Sequence, residues 1–160
     1  MNKVILGALI ALSVLLTSCD IGEVINFNMT ADINGTEFTS LVTTGVLIKE
    51  SNVQTKNVTL IGTNGSNSIS VILTEVGGDS TVNCIATGLY EFGNTTKSAV
   101  VTYTEGQNLY TEVISARVEL TDCDEETNVT GTFEAQVVTM AGDTATLSNG
   151  VFEEINVIEN

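Results

Sequence analysis

The densest chemistry in the sequence is Asp122-Cys123-Asp124-Glu125-Glu126, four carboxylates in five residues. Such a run repels itself unless water or a cation neutralises it. Carboxylate oxygens suit Ca²⁺, which takes about six to eight oxygen ligands in flexible geometry. Alternate side chains of an extended segment share one side, so Asp122, Asp124 and Glu126 are the candidates to converge on an ion. The segment lacks the EF-hand pattern, and a solvated acidic loop between strands is the plainer expectation. Other chemistry is bounded by what is missing. There is no His, which removes Ser-His-Asp and Cys-His catalysis, an imidazole base and His-ligated zinc. Paired carboxylates can hydrolyse glycosides, but with no Trp, 3 Tyr and 5 Phe the chain has few aromatic platforms for sugars. No nucleophile with a base, phosphate loop or metal triad stands out. The expectation is a non-catalytic protein with no catalytic residues and no cofactor.

The charge narrows the partners. Against 20 Asp+Glu stand 5 Lys+Arg, a formal net of -15, with a pI near 4.1. Nucleic acid is not expected, because phosphate binding needs clustered Lys and Arg. An apolar content of 42% argues against a disordered acidic chain, and 160 residues suit one domain.

The first residues read as an address. Lys3 gives one positive charge, and Val4 to Leu16 is apolar except for Gly7 and Ser13. As a helix this run reaches about 20 Å, short of the roughly 30 Å hydrocarbon core, so it reads as an export signal. Leu16-Thr17-Ser18-Cys19 resembles the bacterial lipobox, in which the signal is cut before a Cys that is acylated on its sulfur and its new N-terminus. The organisation expected is a signal peptide over 1–18, a lipidated tether over 19–26 and one β domain over 27–160. Several acyl chains would hold Cys19 stably at a membrane. Removal of Lys3 leaves 20 acidic and 4 basic residues. Cys84 and Cys123 then remain in an oxidising compartment, where a disulfide competes with a buried free Cys84 acting as a small apolar residue.

The elements that would position these residues have a period of 2. Phe27, Met29, Ala31 and Ile33 alternate with polar residues before the Asn34-Gly35-Thr36 turn. Val58 and Leu60 lead to Asn64-Gly65-Ser66-Asn67, a hairpin signal, and then to Ile69, Val71 and Leu73. After the Gly77-Gly78-Asp79-Ser80 turn, Val82, Cys84 and Ala86 share one face. Ala99 to Tyr103, Ile114 to Leu120, Phe133 to Val137, Thr144 to Leu147 and Val151 to Val157 follow, with turns at Thr104–Gln107, Ala141–Asp143 and Ser148–Gly150. Val42 to Glu50 is ambiguous. Roughly nine or ten strands predict an all-β fold, either an antiparallel sandwich or a closed or partly open barrel. Gly131 and Gly150 are expected to supply positive φ at strand entries, with Phe133 and Phe152 as core plugs. With no Pro, edge strands must be protected by charge or by barrel closure.

The order of several motifs is similar to a known family. After the lipobox come Asn34-Gly35-Thr36-Glu37-Phe38, Gly88-Leu89-Tyr90, Val129-Thr130-Gly131-Thr132-Phe133 and Leu147-Ser148-Asn149-Gly150-Val151-Phe152. This resembles small exported lipoproteins of Bacteroidota with a β-sheet domain of unknown function, over most of residues 27–157. The family pattern reads Gly-Thr-Tyr where this chain has Gly88-Leu89-Tyr90, and Cys84 and Cys123 are not part of it. The resemblance implies a β fold and lipid anchoring to the bacterial envelope, at the outer membrane, but no reaction. Asp79-Ser80-Thr81 and Asp143-Thr144-Ala145 are similar to the O-glycosylation motif of that phylum, making Ser80 and Thr144 candidate acceptors. The expected function is a structural or interaction module, held to the membrane by its lipid, whose protein, glycan or small-molecule ligand is unknown. A calycin-like barrel holding a small apolar ligand is the alternative, and a carboxylate glycosidase a distant one.

Overall fold

Alternation dominates the chain because each strand buries one face and solvates the other. The structure, a computed structural model, describes residues 28–50, 54–78, 84–124 and 128–159. The leader and Cys19 lie outside them. Ten strands form one sheet: β1 (Met29–Ile33), β2 (Thr36–Thr39), β3 (Val42–Glu50), β4 (Thr55–Asn64), β5 (Asn67–Val76), β6 (Gly88–Glu91), β7 (Lys97–Glu105), β8 (Asn108–Cys123), β9 (Asn128–Thr139) and β10 (Thr144–Glu159). The described residues include no helix, so the ambiguous segment from Val42 is a strand.

The sheet curls into a barrel-like ring. Antiparallel pairing runs β3–β4–β5–β7–β8–β9–β10. The ring shuts where β10 meets β3 in parallel, through Val157↔Gly45 to Glu159↔Leu47. Two shorter pieces fill places where the long strands part. Strand β6 wedges between β7 and β8, and the β1–β2 hairpin lies along β10. Closure supplies most of the edge protection that Pro would otherwise give, and β2, the remaining edge, is short and carries exposed Glu37.

The turns joining β1–β2, β4–β5, β7–β8 and β9–β10 gather at one end, termed the upper end. Asn34 and Gly35, both with positive φ (51° and 81°), make the tight β1–β2 hairpin turn. The end of β5, segment 84–87, the end of β8 and the start of β9 lie at the lower end.

Apolar side chains from the whole ring point inward as one cluster that includes Met29, Leu47, Leu60, Val71, Leu120 and Phe152. The interior is a packed core.

Three expectations need correction. Ser148-Asn149-Gly150 does not end a strand. It is a bulge within β10, where the register to β9 slips between Leu147 and Gly150 and Asn149 takes φ 51°. A bulge satisfies the same turn-prone residues while pairing continues on both sides. Gly131 and Gly150 do not adopt positive φ. They are small because aromatic rings lie over them. Gly131 is paired with Phe152 and Gly150 with Phe133, and a Cβ on either would come within about 2.5–2.7 Å of the facing ring. Finally, Cys84 to Ala86 is not a strand, because its backbone bonds to side chains across the lower end instead of to a ladder.

Candidate functional site

The outer faces of β8, β9 and β10 form an open groove. Arg117 and Glu119 point outward from β8 because Ala116, Val118 and Leu120 point in. Thr132, Glu134 and Gln136 do the same on β9, against inward Phe133, Ala135 and Val137. Two depressions of about 680 and 460 Å³ share Arg117 and Glu134. Phe92 and Ile114 line one end, and Asn149 and Val151 the other. The β10 bulge lies opposite Glu134, between the Ala135↔Leu147 and Phe133↔Gly150 pairs. Bulges often accompany functional sites because they re-aim a side chain. Here the bulged Asn149 donates to Asp32 Oδ2 at 2.8 Å.

Arg117 is the only Arg in the chain. Its cross-strand neighbours are Glu134 and Glu91, yet it makes no ion pair or side-chain hydrogen bond with the described residues. The lysines among the described residues are engaged in the structure. Lys49 bridges Glu159 at 2.9 Å, Lys56 donates to Cys84 O at 2.8 Å and Lys97 to Thr87 O at 2.7 Å. Arg117 is therefore the cation whose planar donor fork is turned to solvent, ringed by acceptors. No motif marks it; its being the sole Arg was the one signal available.

The lower end is occupied by the segment 84–87. Cys84 is disulfide-bonded to Cys123, with Cα atoms 6.2 Å apart. Glu75 accepts from Ala86 N at 3.0 Å, and the Tyr90 hydroxyl donates to Ala86 O. Lys97 also sits 5.3 Å from the centroid of the Tyr90 ring, a cation–π arrangement. Burial, and then the negative charge of Glu75, push the Tyr90 phenol far above its ordinary range. Lys56 and Glu75 are buried and face each other across β4 and β5. Their places in the period-2 pattern, in step with Val58 and Leu73, were legible in the sequence as inward positions.

The acidic cluster is divided. Asp122 is exposed at the end of β8, beside a register slip. Asp124 accepts from Asn128 N at 2.8 Å and from Asn128 Nδ2 at 2.9 Å, which ties the end of β8 to the start of β9. Glu126 lies outside the described residues. Among the described residues no three His, Cys, Asp or Glu side chains converge to hold a metal. Thr144 is exposed at the first position of β10, and Ser80 lies outside the described residues. Phe133 and Phe152 are core residues, their rings stacked with centroids 6.4 Å apart.

Comparison with protein-family models, curated proteins and solved structures found no match for the chain.

Proposed function

We propose that this is a lipid-anchored β-domain protein of the bacterial cell envelope, at the outer membrane, that binds a partner and does not transform it. The anchor rests on Leu16-Thr17-Ser18-Cys19 and the apolar leader before it. The likeness to small exported lipoproteins of Bacteroidota points the same way. The observation that carries the binding reading is the filled interior: Met29, Val58, Leu60, Ile69, Val71 and Val101 are fully buried inside the ring. A carrier of an apolar ligand needs an apolar cavity. With the inside occupied by side chains, recognition falls to the surface. The groove around Arg117 combines one guanidinium, three carboxylates, amides and hydroxyls with Phe92 and Ile114 at its end.

The test uses full-length protein expressed in a bacterial host. Wild type should fractionate with membranes and show an acylated N-terminal Cys19 by intact mass, and Cys19→Ala should not. Organic extraction of the purified protein should release no stoichiometric apolar ligand beyond the anchor; release of one would favour the carrier. Turnover of chromogenic glycosides that is lost in Glu134→Gln would make the groove catalytic and overturn the reading.

A further inference from the structure

The upper end of the barrel holds a small, polar hollow of about 280 Å³, separate from the groove. Its rim comes from three turns, through Asn34, from Asn64 with Asn67, and from Glu105. Tyr103 and Tyr110 line it from below. They face each other across β7 and β8, with ring centroids 5.4 Å apart.

Both tyrosines are almost wholly buried, only 4% and 7% exposed. Neither hydroxyl has a hydrogen-bond partner among the described residues. A phenol hydroxyl sealed in a core without a partner costs about 1–3 kcal/mol, and such groups are rare. No buried side-chain oxygen among the described residues is unsatisfied. The two hydroxyls must therefore be the parts of these residues that reach open space, and the open space they line is the hollow. Burial, then Glu105 and then Tyr110, raise the Tyr103 phenol above its ordinary value.

We propose that this hollow binds one neutral, polyhydroxylated ligand unit, a single saccharide residue or a polyol of that size. The chemistry of the lining selects it. An apolar guest would strip water from carboxylates, amides and phenols and return no hydrogen bonds. An anion would meet Glu37 and Glu105 at the rim. An ammonium ion would satisfy those carboxylates but, having no acceptor, would make no use of the amide donors of Asn64 and Asn67. Vicinal hydroxyls use donors and acceptors together, and the lining supplies both. The volume lies at the small end of ligand sites, which limits the guest to one ring. The tyrosine rings face one another, so recognition proceeds through hydroxyls, not through stacking; the scarcity of aromatic platforms in the sequence is no obstacle. The hollow and the groove share no lining residue, so this site stands or falls independently of the surface reading.

The experiment titrates the full-length chain, in a sugar-free zwitterionic detergent, with glucose, galactose, mannose and N-acetylglucosamine. Glucosamine and glucuronate serve as the cationic and anionic controls. The chain has no Trp and two of its three Tyr line the hollow, so a change in tyrosine emission is read together with calorimetry. At least one neutral sugar should bind saturably, more tightly than both charged controls. Binding should weaken roughly tenfold or more in Tyr103→Phe/Tyr110→Phe, which removes two hydrogen bonds and little volume. Glu105→Gln, on an exposed position, should weaken it less and keep the fold if the double variant does not. No binding by any of the four sugars, binding untouched by both variants, or preference for glucosamine or glucuronate would each overturn the proposal.

Discussion

The two ends of the barrel bury tyrosines in opposite ways. At the lower end Tyr90 is fully buried and its hydroxyl is used, donating to Ala86 O. The surrounding polar groups are used too: Lys56, Glu75 and Lys97 each bond the backbone of segment 84–87, and Cys84 is tied to Cys123. At the upper end Tyr103 and Tyr110 are nearly as buried, and their hydroxyls bond nothing among the described residues. A buried polar group whose bonds are all made inside the protein is structural. One whose bonds are left open toward a hollow is available to something else. The lower end therefore serves stability and the upper end, on the proposal above, recognition; each role can be broken.

The largest effect is expected at the disulfide. Cys84 and Cys123 are 39 residues apart, and on the chain-entropy model closing that loop stabilises by about 4 kcal/mol. Cys84→Ser/Cys123→Ser should therefore lower the urea-unfolding free energy by about that amount. A loss well below about 1 kcal/mol would mean that the side-chain bonds alone hold the lower end.

Next are the glycines of the wall between the ends. Gly131→Ala places a methyl group against the Phe152 ring and Glu119 O, and Gly150→Ala one against Phe133. Each should cost about 1–3 kcal/mol by overpacking. An unchanged melting temperature in either would show that β9 and β10 can move apart, and would weaken the case for a rigid wall behind the groove.

Alkaline pH gives a smaller, directional test. The Tyr90 phenol is raised from its ordinary 10.0 by burial first and then by Glu75, so the folded state favours the neutral form. The stabilisation is complete below the ordinary phenol value and is lost as pH rises above it toward the folded value. The urea midpoint should fall between pH 9 and pH 11. Tyr90→Phe should flatten part of that fall and cost about 1 kcal/mol at neutral pH, because Ala86 O loses its donor. Tyr103 is also raised, so some slope should remain. A pH dependence unchanged in Tyr90→Phe would place the titrating group elsewhere.

The smallest expected effect is the sharpest comparison. Tyr103→Phe and Tyr110→Phe remove hydroxyls that have no partner among the described residues and should change stability by no more than about 0.5 kcal/mol each. Destabilisation equal to that of Tyr90→Phe would show that the upper tyrosines are structural as well.

The strands were readable because their cause is local. Met29-Ala31-Ile33, Val58-Leu60 and Phe133-Ala135-Val137 alternate wherever a pleated chain buries one face, and Asn34-Gly35 and Asn64-Gly65-Ser66-Asn67 carry hairpin chemistry in their own residues. The leader and lipobox are likewise written in consecutive residues. Closure of the ring was not readable. It depends on β10 continuing through its bulge far enough for Val157 to reach Gly45, a contact between the two ends of the domain. Gly131 looked like a positive-φ residue because sequence shows a small residue and cannot show the Phe152 ring lying over it. The groove and the hollow were invisible for the same reason. Arg117 stands beside Glu134, and Tyr103 beside Tyr110, only after strands pair in register, while the rim of the hollow joins turns some thirty to seventy residues apart. Alternation, turns and the export signal follow from neighbours in the chain. Ring closure, the occupied lower end and the open upper end follow from long-range pairing, which no local pattern encodes.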